Sequence, residues 1–256
     1  MLQRHALTIF FVLVLSISAG IAAFGHSIGN TDITILTVFG PSLVAILLTG
    51  LVGGKTGIHE LLIEQTFRRV GLGWVAVTLL TIPLVGIVAV GMHSIFGGPA
   101  LGLRSTQIFP QVIVILLISV GEEYGWRGYA LPRLLEKFSP IVAGTILGLV
   151  WGFWHFPGYL IGVGVPLDMS FVVFMLWVIP ATLLMTWVYV NTRSVLLAII
   201  MHSGANATFN YLPMLPEFVG QVTTFWIFVG VLWVVAGVVA VFGLTGRREG
   251  AEVSID

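Results

Sequence analysis

Apolar residues run through this chain in long blocks, and charged residues fall almost entirely between them. A helix needs about 20 mostly apolar residues to cross the hydrocarbon core. Eight blocks reach or approach that length: Ala6 to Phe24, Ile33 to Leu51, Leu72 to Met92, Ile108 to Tyr129, Ile141 to Gly162, Phe171 to Val190, Val195 to Tyr211 and Val222 to Leu244. They are long enough for helices rather than porin-type strands. The pattern predicts an all-α, polytopic membrane bundle of about eight transmembrane helices, folded as one integral membrane domain over residues 1–256. Two blocks stand apart. The fourth contains Glu122, Glu123 and Arg127, and the short seventh contains His202, Asn206 and Asn210.

Composition excludes the soluble alternative. Only 9% of the 256 residues are charged and 57% are hydrophobic, with a mean hydropathy of +1.06; a soluble domain is about 25% charged. The formal charge is zero, so no basic face exists for nucleic acid. The chain has no cysteine, which excludes disulfides, thiolate catalysis, Cys-ligated metals and lipidation of its own thiols. The 31 glycines read as close helix-packing positions.

The scarce cations orient the bundle. With eight crossings, the segments on the side of the termini hold Arg4, Lys55, Arg68, Arg69, Arg127, Arg133, Lys137, Arg193, Arg247 and Arg248, and the other side holds only Arg104. Lys and Arg accumulate on the cytoplasmic side, so both termini are expected there. The first block ends in small residues, as a secretory leader does, and is expected to be a retained anchor. Residues 55–70 mix Ile58, Leu61, Leu62 and Phe67 with His59, Glu60, Glu64, Arg68 and Arg69, the pattern of a short cytoplasmic helix lying at the headgroups.

Ionisable groups within hydrocarbon cost roughly 2.5–3.5 kcal/mol each on insertion scales and mark functional sites. Here they concentrate on three spans, as Glu122-Glu123-Tyr124-Gly125-Trp126-Arg127, Trp151-Gly152-Phe153-Trp154-His155 and His202-Ser203-Gly204-Ala205-Asn206. Residues i and i+4 share a helix face while adjacent side chains diverge. Glu123 is therefore expected to meet Arg127, leaving Glu122 on another face. Trp151 is expected beside His155, and His202 and Asn206 form one polar edge. At about 1.5 Å per residue, Glu122 and His155 each lie roughly 22 Å from their cation-side helix ends, but His202 only roughly 14 Å from Arg193. A carboxylate and an imidazole in a partly dry cavity suit hydrolysis, with Glu122 taking a proton from water and His155 orienting that water. His202 and Asn206 could donate to the oxyanion that forms on an attacked carbonyl.

These residues, in this order, resemble the CPBP family of intramembrane proteases, the CAAX prenyl endopeptidase and bacteriocin-processing (Abi) group. The resemblance rests on Glu122 to Tyr129, Trp151 to His155 and His202 to Asn206, and covers a core of about 108–211. It implies an intramembrane endopeptidase whose cavity opens toward the cytoplasm. Glu122 and His155 would activate water, His202 and Asn206 would hold the oxyanion, and Glu123, Arg127 and Trp151 would shape the site. Trp151 departs from the phenylalanine usual in the family. No cofactor is expected; a zinc-dependent variant would use Glu122, His155 and His202 as ligands. The expected substrate is a membrane-associated or lipidated peptide or protein, and the expected location is a prokaryotic cytoplasmic membrane, in keeping with nine arginines to two lysines. A proton-coupled transporter and a non-catalytic immunity or scaffold protein are the competing readings of the same residues.

Overall fold

Eight long helices carry the chain back and forth, each corresponding to one apolar block of the sequence. They are α1 (Leu2–Ser27), α2 (Gly40–His59), α3 (Leu72–Ile95), α4 (Ile108–Glu123), α5 (Pro140–Trp154), α6 (Phe171–Thr192), α7 (Val195–Tyr211) and α8 (Thr223–Val239). The computed structural model describes residues 2–104 and 108–245, with side chains over 5–104 and 110–245. Arg247, Arg248 and the side chain of Arg4 lie outside the described residues. No strand occurs among the described residues, and the chain is a multi-pass membrane protein.

Six helical stretches are long and apolar enough to cross a bilayer. The other two passes are α4 and α7. Charge disqualifies the first, which continues through a π-helical turn (Tyr124–Ala130) into a short helix (Leu131–Leu135); α7 has only 17 residues. Helix α4 presents Ile113, Val114 and Leu117 outward and buries Ser119, Glu122 and Glu123. Apolar residues exposed elsewhere, such as Leu43, Leu47 and Val172, form the surface that lipid would cover.

Small residues set the helix spacing. A Cβ on Gly144 would stand 2.8 Å from Thr186 Oγ1, and one on Gly148 would stand 3.2 Å from the Ile179 backbone, so α5 and α6 touch almost main chain to main chain. Thr182 and Thr186 on α6 return their hydroxyl protons to the carbonyls of Val178 and Thr182, so neither hydroxyl is left as an unpaired donor in the crossing. Ser170 and Ser194 cap α6 and α7 by accepting from Val173 N and Leu197 N. Helix α1 is packed into the bundle: Phe10 is fully buried against Trp126 and Tyr129, and Ser18 Oγ donates to the Trp154 carbonyl.

Two segments differ from the expected pattern. The second apolar block does not begin as α-helix; Thr31–Phe39 is 3₁₀, capped by Asn30 accepting from Asp32 N, and the α geometry starts at the Gly40-Pro41 step. Residues 55–64 form a helical piece set off from α2 by Gly54, whose φ of 57° and ψ of −149° suit glycine alone. That piece doubles back, so that Gly57 approaches Thr49 and Gly50 approaches Ile58. It ends at Glu64 rather than Arg69, and Leu61 is buried against Gly128. The piece is thus a short helix with its polar side exposed and Leu61 packed on one end of the bundle.

Chain direction gives the bundle two distinct ends. One carries both terminal helix ends, the 55–70 segment and the turns at 136–139 and 193–194, joined by Val195 N donating to the Gln65 carbonyl and by Gly243 against Trp187. The other carries residues 28–34, 96–104, 161–170 and 212–222, joined by Arg104 N donating to the Tyr211 carbonyl.

The approach of α4 to α2 places the glutamates. A Cβ on Gly125 would lie 2.5 Å from both Pro41 Cβ and the Pro41 carbonyl oxygen, and Ser42 Oγ donates to the Val120 carbonyl at 3.0 Å. Gly125→Ala is therefore expected to destabilise the protein by about 1–3 kcal/mol through overpacking, seen as a lowered Tm in detergent.

Candidate active site

Glu122 and Glu123 end α4, and the divergence of neighbouring side chains sends them to different partners. Glu123 is fully buried. Its Oε1 accepts from Arg127 Nη1 at 2.7 Å, one turn on, and from His202 Nδ1 on α7 at 2.8 Å. The expected Glu123–Arg127 pair is present, and His202 completes it. Arg127 also lies 4.5 Å from the centroid of the Trp151 ring, a cation–π contact that partly covers a guanidinium with no access to solvent. Glu122 turns toward α5, where the Trp151 indole Nε1–H donates to its Oε2 at 2.7 Å.

Both imidazoles are tied through Nδ1. The Trp151 carbonyl lies 2.9 Å from His155 Nδ1; a carbonyl can only accept, so Nδ1 carries the proton and the neutral ring has its lone pair on Nε2. His202 Nδ1 likewise donates to the Glu123 carboxylate, which again leaves Nε2 as the free nitrogen. Trp151 packs edge-on to His155 as the spacing predicts, with ring centroids 5.8 Å apart, and also to His202, at 5.2 Å. That contact accounts for the shallower position of His202: it stands level with Trp151, one turn short of His155, and Asn206 on the next turn of α7 reaches the His155 level.

All four candidate groups, Glu122, His155, His202 and Asn206, line one cavity of about 420 Å³. Ser18 and Ala22 of α1, Ile115 and Ile118 of α4, and the 3₁₀ segment supply the other walls. A second cavity of about 290 Å³ shares His155, His202, Asn206 and Asn210 with the first and is otherwise largely aromatic, with Phe174, Trp177, Phe209 and Phe218. The polar groups therefore sit at a junction between two lobes.

Sequence reasoning missed several lining residues. Thr31, Thr34 and Thr37 border the cavity, as does Asp32. Three residues per 3₁₀ turn put those threonines on one edge, a spacing visible in the sequence once 3₁₀ geometry is considered. Ser203 Oγ donates to Ser119 Oγ at 3.0 Å, a further tie between α7 and α4 beside the site.

The cavity reaches exposed residues Asp32, Gly164 and Asn210, so its mouth lies at the end opposite both terminal helix ends. A cytoplasmic mouth and cytoplasmic termini were both expected; the fold makes them mutually exclusive, because every connection alternates between the two ends. The zinc alternative meets a geometric objection. Glu122, His155 and His202 share the cavity, but among the described residues no three His, Asp or Glu side chains group so as to hold one ion. Glu122 Oε2 is already engaged by Trp151.

Residues 104–208 match the family model described as Type II CAAX prenyl endopeptidase Rce1-like. This segment is similar to the Rce1-like CAAX endopeptidases. It contains all three polar motifs, on α4, α5 and α7. A curated relative, CAAX prenyl protease 2 of Methanococcus maripaludis, is 28% identical over 149 residues. That match takes in 53% of this chain and 55% of the relative, so the chain spans about half the length of the relative it matches. Within the matched segment, the Glu123–Arg127–His202 contact joins two helices through buried charge. Removing one partner of such a pair costs about 3–5 kcal/mol. Arg127→Leu is expected to lose stability on that scale in thermal unfolding, well beyond any loss from Arg133→Leu, whose side chain reaches the surface.

Proposed function

We propose that this protein is an intramembrane endopeptidase that hydrolyses a peptide bond in a membrane-associated or lipidated substrate. The observation that carries the reading is the convergence of Glu122, His155, His202 and Asn206 on one cavity within a segment of Rce1-like sequence. Water held between the Glu122 carboxylate and the lone pair on His155 Nε2 gives a proton to Glu122 as its oxygen bonds to the substrate carbonyl carbon. The carbonyl π pair moves onto oxygen, which receives hydrogen bonds from Asn206 Nδ2 and His202 Nε2. Neutral His202 cannot donate from Nε2, because its single proton is on Nδ1 facing Glu123. The imidazolium, with one N–H on Glu123 and the other in the cavity, can. Collapse of the intermediate breaks the C–N bond, the electron pair leaves on nitrogen, and the proton held by Glu122 passes to that nitrogen. The immediate products are a carboxylic acid and an amine, and the acid then gives its proton to the amine or to water.

Glu123 and Arg127 take no proton in this sequence; they hold His202 at the level of the carbonyl. The two-lobed cavity suits an extended chain with its scissile bond at the junction and a bulky apolar group in the aromatic lobe. Glu122→Gln is expected to lower turnover of a fluorogenic peptide in liposomes by about 10²–10⁴-fold, and Asn206→Ala by about 10²–10³-fold. Full turnover by folded Glu122→Gln protein would overturn the mechanism.

The termini and the cation-rich connections are assigned to the cytoplasmic face, which in a prokaryotic cell membrane puts the cavity mouth on the outer face. The chain has no native cysteine, so single cysteines report sidedness directly. Asp32→Cys and Lys55→Cys are expected to react with an impermeant thiol reagent from opposite sides of the membrane, Asp32→Cys from outside. Labelling of both from one side would refute the topology.

A further inference from the structure

Trp151 touches both members of the water-activating pair, through two different groups. Its indole Nε1–H donates to Glu122 Oε2 at 2.7 Å, and its backbone carbonyl accepts from His155 Nδ1 at 2.9 Å. The side chain is 2% exposed, and its ring is held by the edges of His202 and Trp177 and by the Arg127 guanidinium over its face. Other buried indoles offer a contrast. The Nε1 atoms of Trp126, Trp154 and Trp177 are buried without a hydrogen-bond partner, so the fold uses those tryptophans as apolar volume. Only at 151, among these four, does the N–H meet a carboxylate.

We infer that Trp151 is a positioning residue for the hydrolysis proposed above, fixing the plane of the Glu122 carboxylate so that its second oxygen faces the attacking water. The terminal torsion of a glutamate is broad and roughly two-fold, so an untethered carboxylate would present either oxygen over a wide range of angles. A charge-assisted bond to Oε2 removes that freedom. A short base-to-water distance is useful only when the lone pair is aimed. The tie to His155 runs through the main chain and survives any substitution at 151; the tie to Glu122 requires an N–H. Phenylalanine would fill most of the ring volume and supply no donor. The two contributions of the residue can therefore be separated.

The inference rests on Glu122 being the base, and its test distinguishes failure of either claim. Trp151→Phe is compared with Trp126→Phe, the same chemical change at a fully buried indole whose N–H has no partner. Trp151→Phe is expected to lower kcat at least tenfold with KM changed less than twofold, and Trp126→Phe to change kcat less than twofold. The second readout needs no activity. The ultraviolet resonance Raman difference between wild type and Trp151→Phe isolates one indole, whose N–H marker is expected at a hydrogen-bonded frequency and is expected to move to the unbonded frequency in Glu122→Ala. Unchanged kcat in Trp151→Phe, equal losses in both phenylalanine variants, or an unbonded N–H in the wild type would overturn the inference. If Glu122→Gln keeps its turnover, the hydrolytic mechanism falls, while the Raman comparison still reports whether the bond exists. If Trp151→Phe does not fold, wild type against Glu122→Ala decides it.

Discussion

A single carboxylate oxygen, Glu123 Oε1, joins two helices that otherwise meet through apolar contact and the Ser203–Ser119 hydrogen bond. It accepts from Arg127 on its own helix and from His202 on α7. Taking a carboxylate and a guanidinium out of water costs several kcal/mol per ion, and the bundle offers few other partners: Glu123 Oε2, Arg127 Nε and Arg127 Nη2 are buried without hydrogen bonds. The arrangement is a poor bargain for stability alone. Its effect is registration, since the charge is compensated only when α4 and α7 stand at one relative height. That height puts His202 against Trp151 and carries Asn206 to the level of His155.

Two adjacent glutamates thus have opposite environments for a simple geometric reason. Successive residues on a helix point about 100° apart, so one faces the arginine and the other faces the cavity wall. Both ends of the resulting constellation are supported from outside. Gly125 lets the backbone of α4 lie against Pro41, and Gly144 and Gly148 let α5 lie against α6. The glycines are therefore part of how the site is held, although none of them touches it.

Most of the helical scaffold could be read from the sequence, because charge is so scarce that its positions mark the ends of the apolar blocks. The i, i+4 pairs were legible for the same reason: Glu123–Arg127 and Trp151–His155 follow from helical pitch alone. Features that depend on a partner from another helix were not. Nothing in the spacing says that Trp151 donates to Glu122 or that His202 answers to Glu123, since each contact crosses between helices distant in sequence. The change of helix type in the second block is not legible, because Ile33 to Phe39 is apolar enough for either type, and only Asn30 and the Gly40-Pro41 step mark it. The 55–64 piece has the composition of a surface helix. It is mostly exposed, and it folds back along α2 because Gly54 permits a reversal that no hydropathy pattern records.

The 3₁₀ segment Thr31–Phe39 also has a directional consequence. It forms one wall of the cavity with its threonine edge and Ile35, while Leu36 and Phe39 are exposed away from it. Nine residues is long for 3₁₀ geometry, whose hydrogen bonds are weaker than those of an α-helix and whose runs seldom exceed three or four residues. On that side the cavity is therefore closed by one stretch of comparatively soft backbone, whereas the walls behind it are α-helices tied together by buried charge.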